Sequence, residues 1–124
     1  MSLSILLRCF DIEQTREFYE SVLCCVVAST AENTITVTKG GAHLIFTSQD
    51  LWSATPGFSG TIYITVADVD QYFSTIASKA SVAWPLQTMP YGGREFAITD
   101  CNGYLLAFQQ EGSRVVRAAP CRMA

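Results

Sequence analysis

The chain carries the same succession of local patterns twice, and this repeat restricts its fold more than any other feature. In each copy a β-prone segment leads to an Asp that is followed three residues later by a Gln, namely Asp11 with Gln14 and Asp68 with Gln71. Asp at this spacing from Gln is typical of a helix N-terminus, where side chains satisfy the first free backbone N–H groups. The order of the surrounding segments predicts a duplicated β-α-β-β-β module.

The first module is predicted at residues 3–48. A β-prone apolar segment at 3–10 is followed by apolar residues at helical spacing between Ile12 and Leu23, which predicts a helix over 12–23. The turn dipeptides Glu32-Asn33 and Gly40-Gly41 then separate three strands. These strands are predicted at 25–30, 34–38 and 42–48.

The second module is predicted at residues 60–110, after a linker at 49–59 that contains Pro56 and Gly57. Its first strand alternates hydroxyl-bearing and aliphatic side chains, a period of two that indicates a half-buried strand. We expect the aliphatic set, Ile62, Ile64 and Val66, to pack under the helix, and Thr61, Tyr63 and Thr65 to face the other way. A helix from residue 69, strands near 82–87, 95–99 and 104–110, and a tail at 111–124 complete the chain.

Composition and charge exclude several classes of protein. With 49% hydrophobic and 15% charged residues, the 124-residue chain fits one globular domain. The net charge is −3 and the basic residues form no stripe, so no nucleic-acid partner is expected. The longest apolar run, at 22–28, is too short to span a membrane. Five irregularly spaced cysteines and the lack of a signal peptide predict reduced thiols and a cytoplasmic location.

Residues 89–108, MPYGGREFAITDCNGYLLAF, combine a Gly-rich turn, an Arg-Glu-Phe step into a strand and an Asp-Cys-Asn-Gly turn into a second strand. This segment resembles the closing hairpin of the glyoxalase/bleomycin-resistance group, the vicinal-oxygen-chelate superfamily. The Gly93–Phe96 step resembles the bleomycin-resistance branch most. The two-module plan matches the superfamily over residues 3–110. The resemblance implies an α+β fold in which two β-α-β-β-β modules form a curved sheet around a groove, with the helices on the outer face.

The resemblance also identifies where metal ligands would lie. In the enzymes of the superfamily each module supplies two ligands, typically His, Gln or Glu, to a divalent ion that polarises two adjacent substrate oxygens. The corresponding positions here are Ser4, Ile45, Thr61 and Ala107, and none is a competent ligand. We therefore expect no metal and no other cofactor.

His43 is the one histidine of the chain, so any Ser-His-Asp or Cys-His arrangement depends on it. It lies in an alternating segment, AHLIFT, without the pattern of a nucleophile elbow, and no catalytic residue is assigned. Two interpretations remain open. His43 is either a strand residue that is simply hydrogen-bonded or solvated, or a ligand contact in the groove, because it shares a strand face with Ile45.

Candidate ligand-binding residues are aromatic residues at or near loops, and polar residues that share their face or hairpin. Aromatic rings stack on flat or cationic ligand groups. The alternatives are rings that pack over a domain end and a local Arg94–Glu95 ion pair of little energetic value. The candidates are Arg8, His43, Trp52, Thr61, Tyr63, Trp84, Tyr91, Arg94 and Glu95.

The preferred hypothesis is a metal-free, non-enzymatic protein of the bleomycin-resistance-like type that captures an aromatic or amphipathic small molecule, cationic ligands included. Sequestration of an antibiotic is the family's best-known version of this function. Two alternatives stay open: a metal-dependent lyase, isomerase or dioxygenase of the same superfamily with displaced ligands, and a module that binds a protein partner or an effector. A homodimer is expected, because one curved sheet leaves edge strands and apolar surface uncovered.

Overall fold

The computed structural model describes residues 3–112, which form two successive β-α-β-β-β modules. The elements are β1 (Ser4–Arg8), α1 (Ile12–Glu17), β2 (Val26–Ala31), β3 (Thr34–Lys39), β4 (Ala42–Thr47), β5 (Thr61–Val66), α2 (Val69–Ile76), β6 (Ser81–Thr88), β7 (Arg94–Thr99) and β8 (Leu105–Gln110). The predicted α+β class and element order are confirmed. The predicted tail lies outside the described residues from position 113 onward.

Each module builds its own four-stranded mixed sheet, and the two sheets have the same topology. The strand orders are β1-β4-β3-β2 and β5-β8-β7-β6. In each sheet the first strand pairs in parallel with the last, and the other pairs are antiparallel. The two open, curved sheets are therefore copies of one design.

Both helices begin where the sequence predicts. Oδ1 of Asp11 accepts a hydrogen bond from the Gln14 backbone N–H at 2.9 Å, and Oδ1 of Asp68 accepts one from the Gln71 N–H at 3.1 Å. These caps satisfy backbone donors that the first helical turn leaves free. The first helix continues past α1 as a π-helical turn, Phe18–Val22, so the predicted helical stretch is confirmed but its last turn is wider than an α-helix. None of the helices within residues 3–112 is long and apolar enough to cross a lipid bilayer.

One apolar core joins the two modules, with α1 packed on β3 and β4, and α2 packed on β7 and β8. The alternation along β5 is confirmed, because Ile64 is 5% exposed whereas its neighbour Tyr63 is 49% exposed. Each sheet therefore has a face covered by its helix and an opposite face, which we call the open face.

The turn between β7 and β8 joins the second module to the first helix. Gly103 adopts a positive φ of 91° in this turn. The buried Asp100 carboxylate accepts hydrogen bonds from the backbone N–H groups of Asn102 and Tyr104, both at 2.8 Å. It also accepts one from the Tyr19 hydroxyl at 2.5 Å. Burial raises the pKa of Asp100, and these hydrogen bonds oppose that rise. The contact between the β7–β8 turn and the first helix is therefore a polar contact inside an apolar core.

Candidate functional site

The open faces place the four family ligand positions in equivalent settings. Ile45 lies beside Leu6 in the parallel register of β1 with β4, and Ala107 lies beside Tyr63 in the register of β5 with β8. Leu6 and Tyr63 are each the third residue of their strand. The two modules therefore present Ile45 and Ala107 at equivalent positions of their sheets.

The side chains at these positions do not fit a divalent metal. Ser4 and Thr61 offer neutral hydroxyls, and Ile45 and Ala107 offer only hydrocarbon, whereas such ions in proteins bind carboxylate, imidazole or thiolate groups. Nowhere in residues 3–112 do three or more His, Cys, Asp or Glu side chains come together in a group that could hold a metal ion. The metal chemistry of the family's enzymes has no ligand set in this part of the chain.

A floor of two alanines occupies the centre of the open face of the second sheet. Ala97 pairs with Ala107 across β7 and β8, and both are fully buried. Towards the two outer strands, Ala107 lies beside Tyr63 on β5 and Ala97 lies beside Trp84 on β6. The result is a row Tyr–Ala–Ala–Trp across all four strands, with small residues in the middle and aromatic residues at the edges.

The aromatic residues at the ends of this row meet at Glu95. Its side chain is fully buried, with 0% exposure. Oε2 of Glu95 accepts hydrogen bonds from the Tyr63 hydroxyl at 3.4 Å and from the Trp84 indole N–H at 3.1 Å. Because these donors stand on opposite outer strands, their rings reach inward across the sheet to share one oxygen.

The other carboxylate oxygen of Glu95 accepts hydrogen bonds from the turn that precedes β7 and from β8. Oε1 of Glu95 accepts hydrogen bonds from the Tyr91 hydroxyl and from Nε2 of Gln109, the latter at 3.4 Å. Gln109 is the cross-strand partner of Glu95. A Cβ at Gly93 would lie 2.9 Å from both the Tyr91 ring and Nε2 of Gln109. A side chain at position 93 would therefore displace the Tyr91 ring and the Gln109 amide from these positions.

These contacts define the Glu95 cluster, which consists of Tyr63, Trp84, Tyr91, Glu95 and Gln109. Partial desolvation and the hydrogen bond to Glu95 raise the pKa of the Tyr91 phenol, so its hydroxyl remains a donor at neutral pH. The residues Tyr63 and Tyr91 are 49% and 47% exposed. The cluster thus presents aromatic surface to solvent above a buried carboxylate.

Arg94 lies apart from the cluster, although it precedes Glu95 in the chain. Consecutive residues of a strand point to opposite faces, and the Arg94 guanidinium donates hydrogen bonds to the Asp70 carboxylate on α2 at 2.8 and 2.9 Å. These hydrogen bonds lower the pKa of Asp70. The local Arg94–Glu95 ion pair considered from the sequence is not formed, and the charge partner of Arg94 is a residue of the helix.

Arg8 and Trp52 line a different cavity, of about 330 Å³, between β1 and the linker. Nη1 of Arg8 lies 3.5 Å from Oδ1 of Asp50 and donates a hydrogen bond to the carbonyl of Ala54. Its Nε is buried and has no hydrogen-bond partner among the described residues. The side-chain contacts of Arg8 are therefore with the linker.

His43 and Thr61 occupy intermediate positions. His43 lies on the open face of the first sheet, with Nδ1 3.5 Å from the Thr38 hydroxyl. It shares with Tyr63 a cleft of about 320 Å³ that residues of both modules line. Thr61 is half-buried at the start of β5. His43 therefore has a hydrogen-bond partner, as expected for a strand residue that is simply hydrogen-bonded. It also lines a cleft, as expected for a ligand contact in the groove.

Four of the sequence candidates, Tyr63, Trp84, Tyr91 and Glu95, thus come together, whereas Arg8, Trp52 and Arg94 do not join them. Sequence reasoning missed Gln109, Ala97 and Gly93. Strand alternation from Glu95 and Ala107 would have placed Ala97 and Gln109 on the open face, but only the β7–β8 register identifies Gln109 as the partner of Glu95.

The family model of the Glyoxalase/Bleomycin resistance protein/Dioxygenase superfamily matches residues 3–108. None of the curated proteins matches the chain. A superfamily member from Sphaerobacter thermophilus is similar in structure, with a TM-score of 0.76, 20% sequence identity, and coverage of 90% of this chain and 97% of that chain. TioX from Micromonospora sp. ML1 gives a TM-score of 0.74 at 19% identity, covering 89% of this chain and 98% of that chain.

A glyoxalase/bleomycin resistance protein/dioxygenase from Nocardioides gives a TM-score of 0.73 at 14% identity, covering 96% of this chain and 89% of that chain. At such identities these likenesses concern the fold. The family match extends over both modules and includes the hairpin that carries Glu95. The chain therefore belongs to the glyoxalase/bleomycin resistance protein/dioxygenase superfamily.

Proposed function

We propose that the protein is a metal-free, bleomycin-resistance-like binding protein that captures an aromatic or amphipathic small molecule on the open face of its second sheet. The observation that carries this proposal is the convergence of Tyr63, Trp84 and Tyr91 on the buried carboxylate of Glu95. Three aromatic side chains with anchored polar ends form a preorganised surface for stacking, and preorganisation reduces the entropy lost on binding.

The same contacts favour binding over catalysis. Both oxygens of Glu95 accept two hydrogen bonds each, and the side chain is fully buried. A general base needs an oxygen within hydrogen-bonding reach of the proton that it removes. Both oxygens of the Glu95 carboxylate instead accept hydrogen bonds from protein donors. Ile45 and Ala107 in place of family metal ligands argue in the same direction.

A thermal-shift screen of the purified full chain against diverse small molecules tests the proposal. A ligand that binds only the native state raises stability by RT ln(1 + [L]/Kd), so aromatic or amphipathic hits are expected. Trp84→Leu should abolish the shift produced by such a hit. Trp52→Leu makes the same change in the separate linker cavity and should leave the shift intact. Loss of the shift in the Trp52 variant alone would place the ligand elsewhere and refute the site.

Two further measurements separate this function from its alternatives. Elemental analysis of the purified protein should find no stoichiometric Zn, Ni, Mn or Fe, and about one tightly held ion per chain would favour the enzyme alternative. A screen without any hit, together with a specific protein captured by the chain, would favour a partner-binding module. The proposal also includes a cytoplasmic location and a homodimeric state.

A further inference from the structure

We propose that the Glu95 cluster selects an organic cation, so that the captured molecule carries a protonated or quaternary amine. This inference rests on the proposed binding function and narrows it to the chemical class of the ligand. Its basis is the set of side chains that surround Glu95.

Glu95 has no positively charged partner within residues 3–112. The ion pairs in that part of the chain involve Arg8, Arg16 and Arg94, and none of them reaches Glu95. Its hydrogen-bond donors are two phenols, an indole and a primary amide, all of them neutral. Neutral donors hold a carboxylate in place but leave its charge uncompensated, and such a buried charge is costly without a counter-ion. A cationic ligand would supply one.

The aromatic rings make that charge accessible from outside. The face of an aromatic ring carries negative electrostatic potential and attracts cations. Donation of a hydrogen bond from a phenol or indole to a carboxylate shifts electron density into the ring, which strengthens that potential. Tyr63 and Tyr91 expose about half of their surface, 49% and 47%, while Glu95 behind them is inaccessible. A cation would therefore bind on the rings, and Glu95 behind the rings would act as its counter-ion.

The charge of the whole chain acts in the same direction. The protein carries 11 acidic against 8 basic side chains, and three of the basic ones, Arg114, Arg117 and Arg122, lie beyond the described residues. An acidic surface raises the local concentration of cations and speeds their association. A neutral aromatic molecule would gain only stacking from the cluster, whereas a cationic one would gain stacking and charge compensation.

Choline and its neutral isostere 3,3-dimethylbutan-1-ol, in which carbon replaces the charged nitrogen, provide a matched pair of probes. Each is titrated into the full chain while the two indole N–H signals are followed by NMR. We expect the Trp84 signal to move and the Trp52 signal to stay. Choline should bind at least about tenfold tighter than the alcohol, because the cation–π contact and charge compensation by Glu95 act together. Equal affinities, or no saturable shift with choline, would overturn the inference.

Two charge variants locate the effect. Glu95→Gln removes the charge with nearly the same shape and should lower the choline-to-alcohol affinity ratio towards the smaller value that the cation–π contact alone provides. Glu17→Gln removes an equal charge from the exposed side of the first helix and should leave the ratio unchanged. If Glu95→Gln does not fold, Tyr63→Leu, which deletes one half-exposed ring, should lower choline affinity at least about threefold. A ratio that stays the same in a folded Glu95→Gln protein, or an unchanged choline affinity in Tyr63→Leu, contradicts the inference.

Failure of the inferred cation selectivity can be distinguished from failure of the proposed binding function. If the thermal-shift screen yields neutral ligands that require Trp84 while choline shows no preference over its isostere, the binding function stands and the cation selectivity is wrong. If neither the screen nor choline gives any saturable binding, both fail.

Discussion

Glu95 is a carboxylate that the protein buries and then surrounds with neutral donors. Oε2 receives donors from the two outer strands of the sheet, and Oε1 receives donors from the preceding hairpin and from the paired strand. Each donor fixes the orientation of a side chain, so Glu95 serves as the centre that orders three aromatic rings. The opposite face of the same strands is filled by aliphatic and aromatic core residues. Stability and binding therefore depend on alternate residues of the same strands.

Paired substitutions in β5 test this division. Ile64→Ala should cost about 2–5 kcal/mol of unfolding free energy, because it truncates a buried core side chain. Tyr63→Ala should weaken ligand binding and cost about 1 kcal/mol, since it removes one hydrogen bond and a half-exposed ring. Urea denaturation midpoints and a ligand titration on both variants give the answer. If Tyr63→Ala unfolds the protein while Ile64→Ala is silent, the two faces of β5 are reversed.

Glycine substitutions test the packing behind the cluster. Gly93→Ala should displace the Tyr91 ring and Gln109, because its Cβ would lie 2.9 Å from both. We expect weaker ligand binding and a loss of about 1–3 kcal/mol of stability, as for other overpacked sites. Gly41→Ala is the control, because a Cβ there meets nothing within 4 Å. Equal ligand affinity in the two variants would show that Tyr91 has no role in the site.

At the scale of elements, the β7–β8 hairpin has two tasks. Its strands carry Glu95 and the alanine floor, and its turn places Asp100 against the Tyr19 hydroxyl of the first module. A second contact between the modules is the hydrogen bond from the Tyr72 hydroxyl on α2 to the carbonyl of Leu23, at 2.6 Å. The hairpin that supplies Glu95 and Gln109 to the site thus also carries a contact between the two modules.

Tyr19→Phe should cost about 1–3 kcal/mol at neutral pH, because the buried Asp100 carboxylate loses a donor. The cost should shrink towards pH 4. Burial raises the pKa of Asp100 in the folded chain above its unfolded value near 3.9, so its contribution to stability is largest at low pH and declines as pH rises through the folded pKa. Without the Tyr19 donor that pKa rises further, and the decline becomes larger.

Tyr72→Phe is the matched control for this effect. It removes a phenol that donates to a neutral carbonyl, so its cost of about 0.5–1.5 kcal/mol should not change between pH 4 and 7. Chemical denaturation of both variants across that range is the measurement. A pH-independent cost for Tyr19→Phe would mean that Asp100 does not titrate with folding.

At the scale of the whole molecule, the two open faces leave apolar and aromatic surface exposed within residues 3–112. Apolar or aromatic side chains that are 41–70% exposed include Leu6 and Val26 in the first sheet and Tyr63 in the second. Among residues 3–112, β2 and β6 are edge strands that each pair with one neighbouring strand. Exposed apolar surface and free strand edges favour association, and a two-fold dimer is the usual arrangement.

We therefore expect a homodimer in solution. Sedimentation velocity at micromolar concentration should show a species of twice the 13.6 kDa chain mass. Leu6→Asp and Val26→Asp should weaken the dimer if the open face of the first sheet forms the interface, and Glu13→Lys on the helix side should not. A single 13.6 kDa species at these concentrations would refute the dimer.

The sequence by itself determined the two-module plan, both helix N-caps and the faces of β5, because capping and alternation are short-range properties that a few neighbouring residues decide. It also identified Tyr63, Trp84, Tyr91 and Glu95 as candidates, but as separate residues. The predicted limits of the strands differ from the observed limits by a few positions, because packing and strand pairing set where a strand ends.

Only the tertiary structure decided which candidates meet. The registers of β5 with β8 and of β7 with β6 and β8 bring Tyr63 and Trp84 to one oxygen of Glu95 across two alanines, and they pair residues that are distant in the chain. The partner of Arg94 is likewise Asp70, 24 positions away, and not its neighbour. Long-range pairing depends on the assembly of whole sheets around a shared core, and no local sequence pattern encodes that assembly.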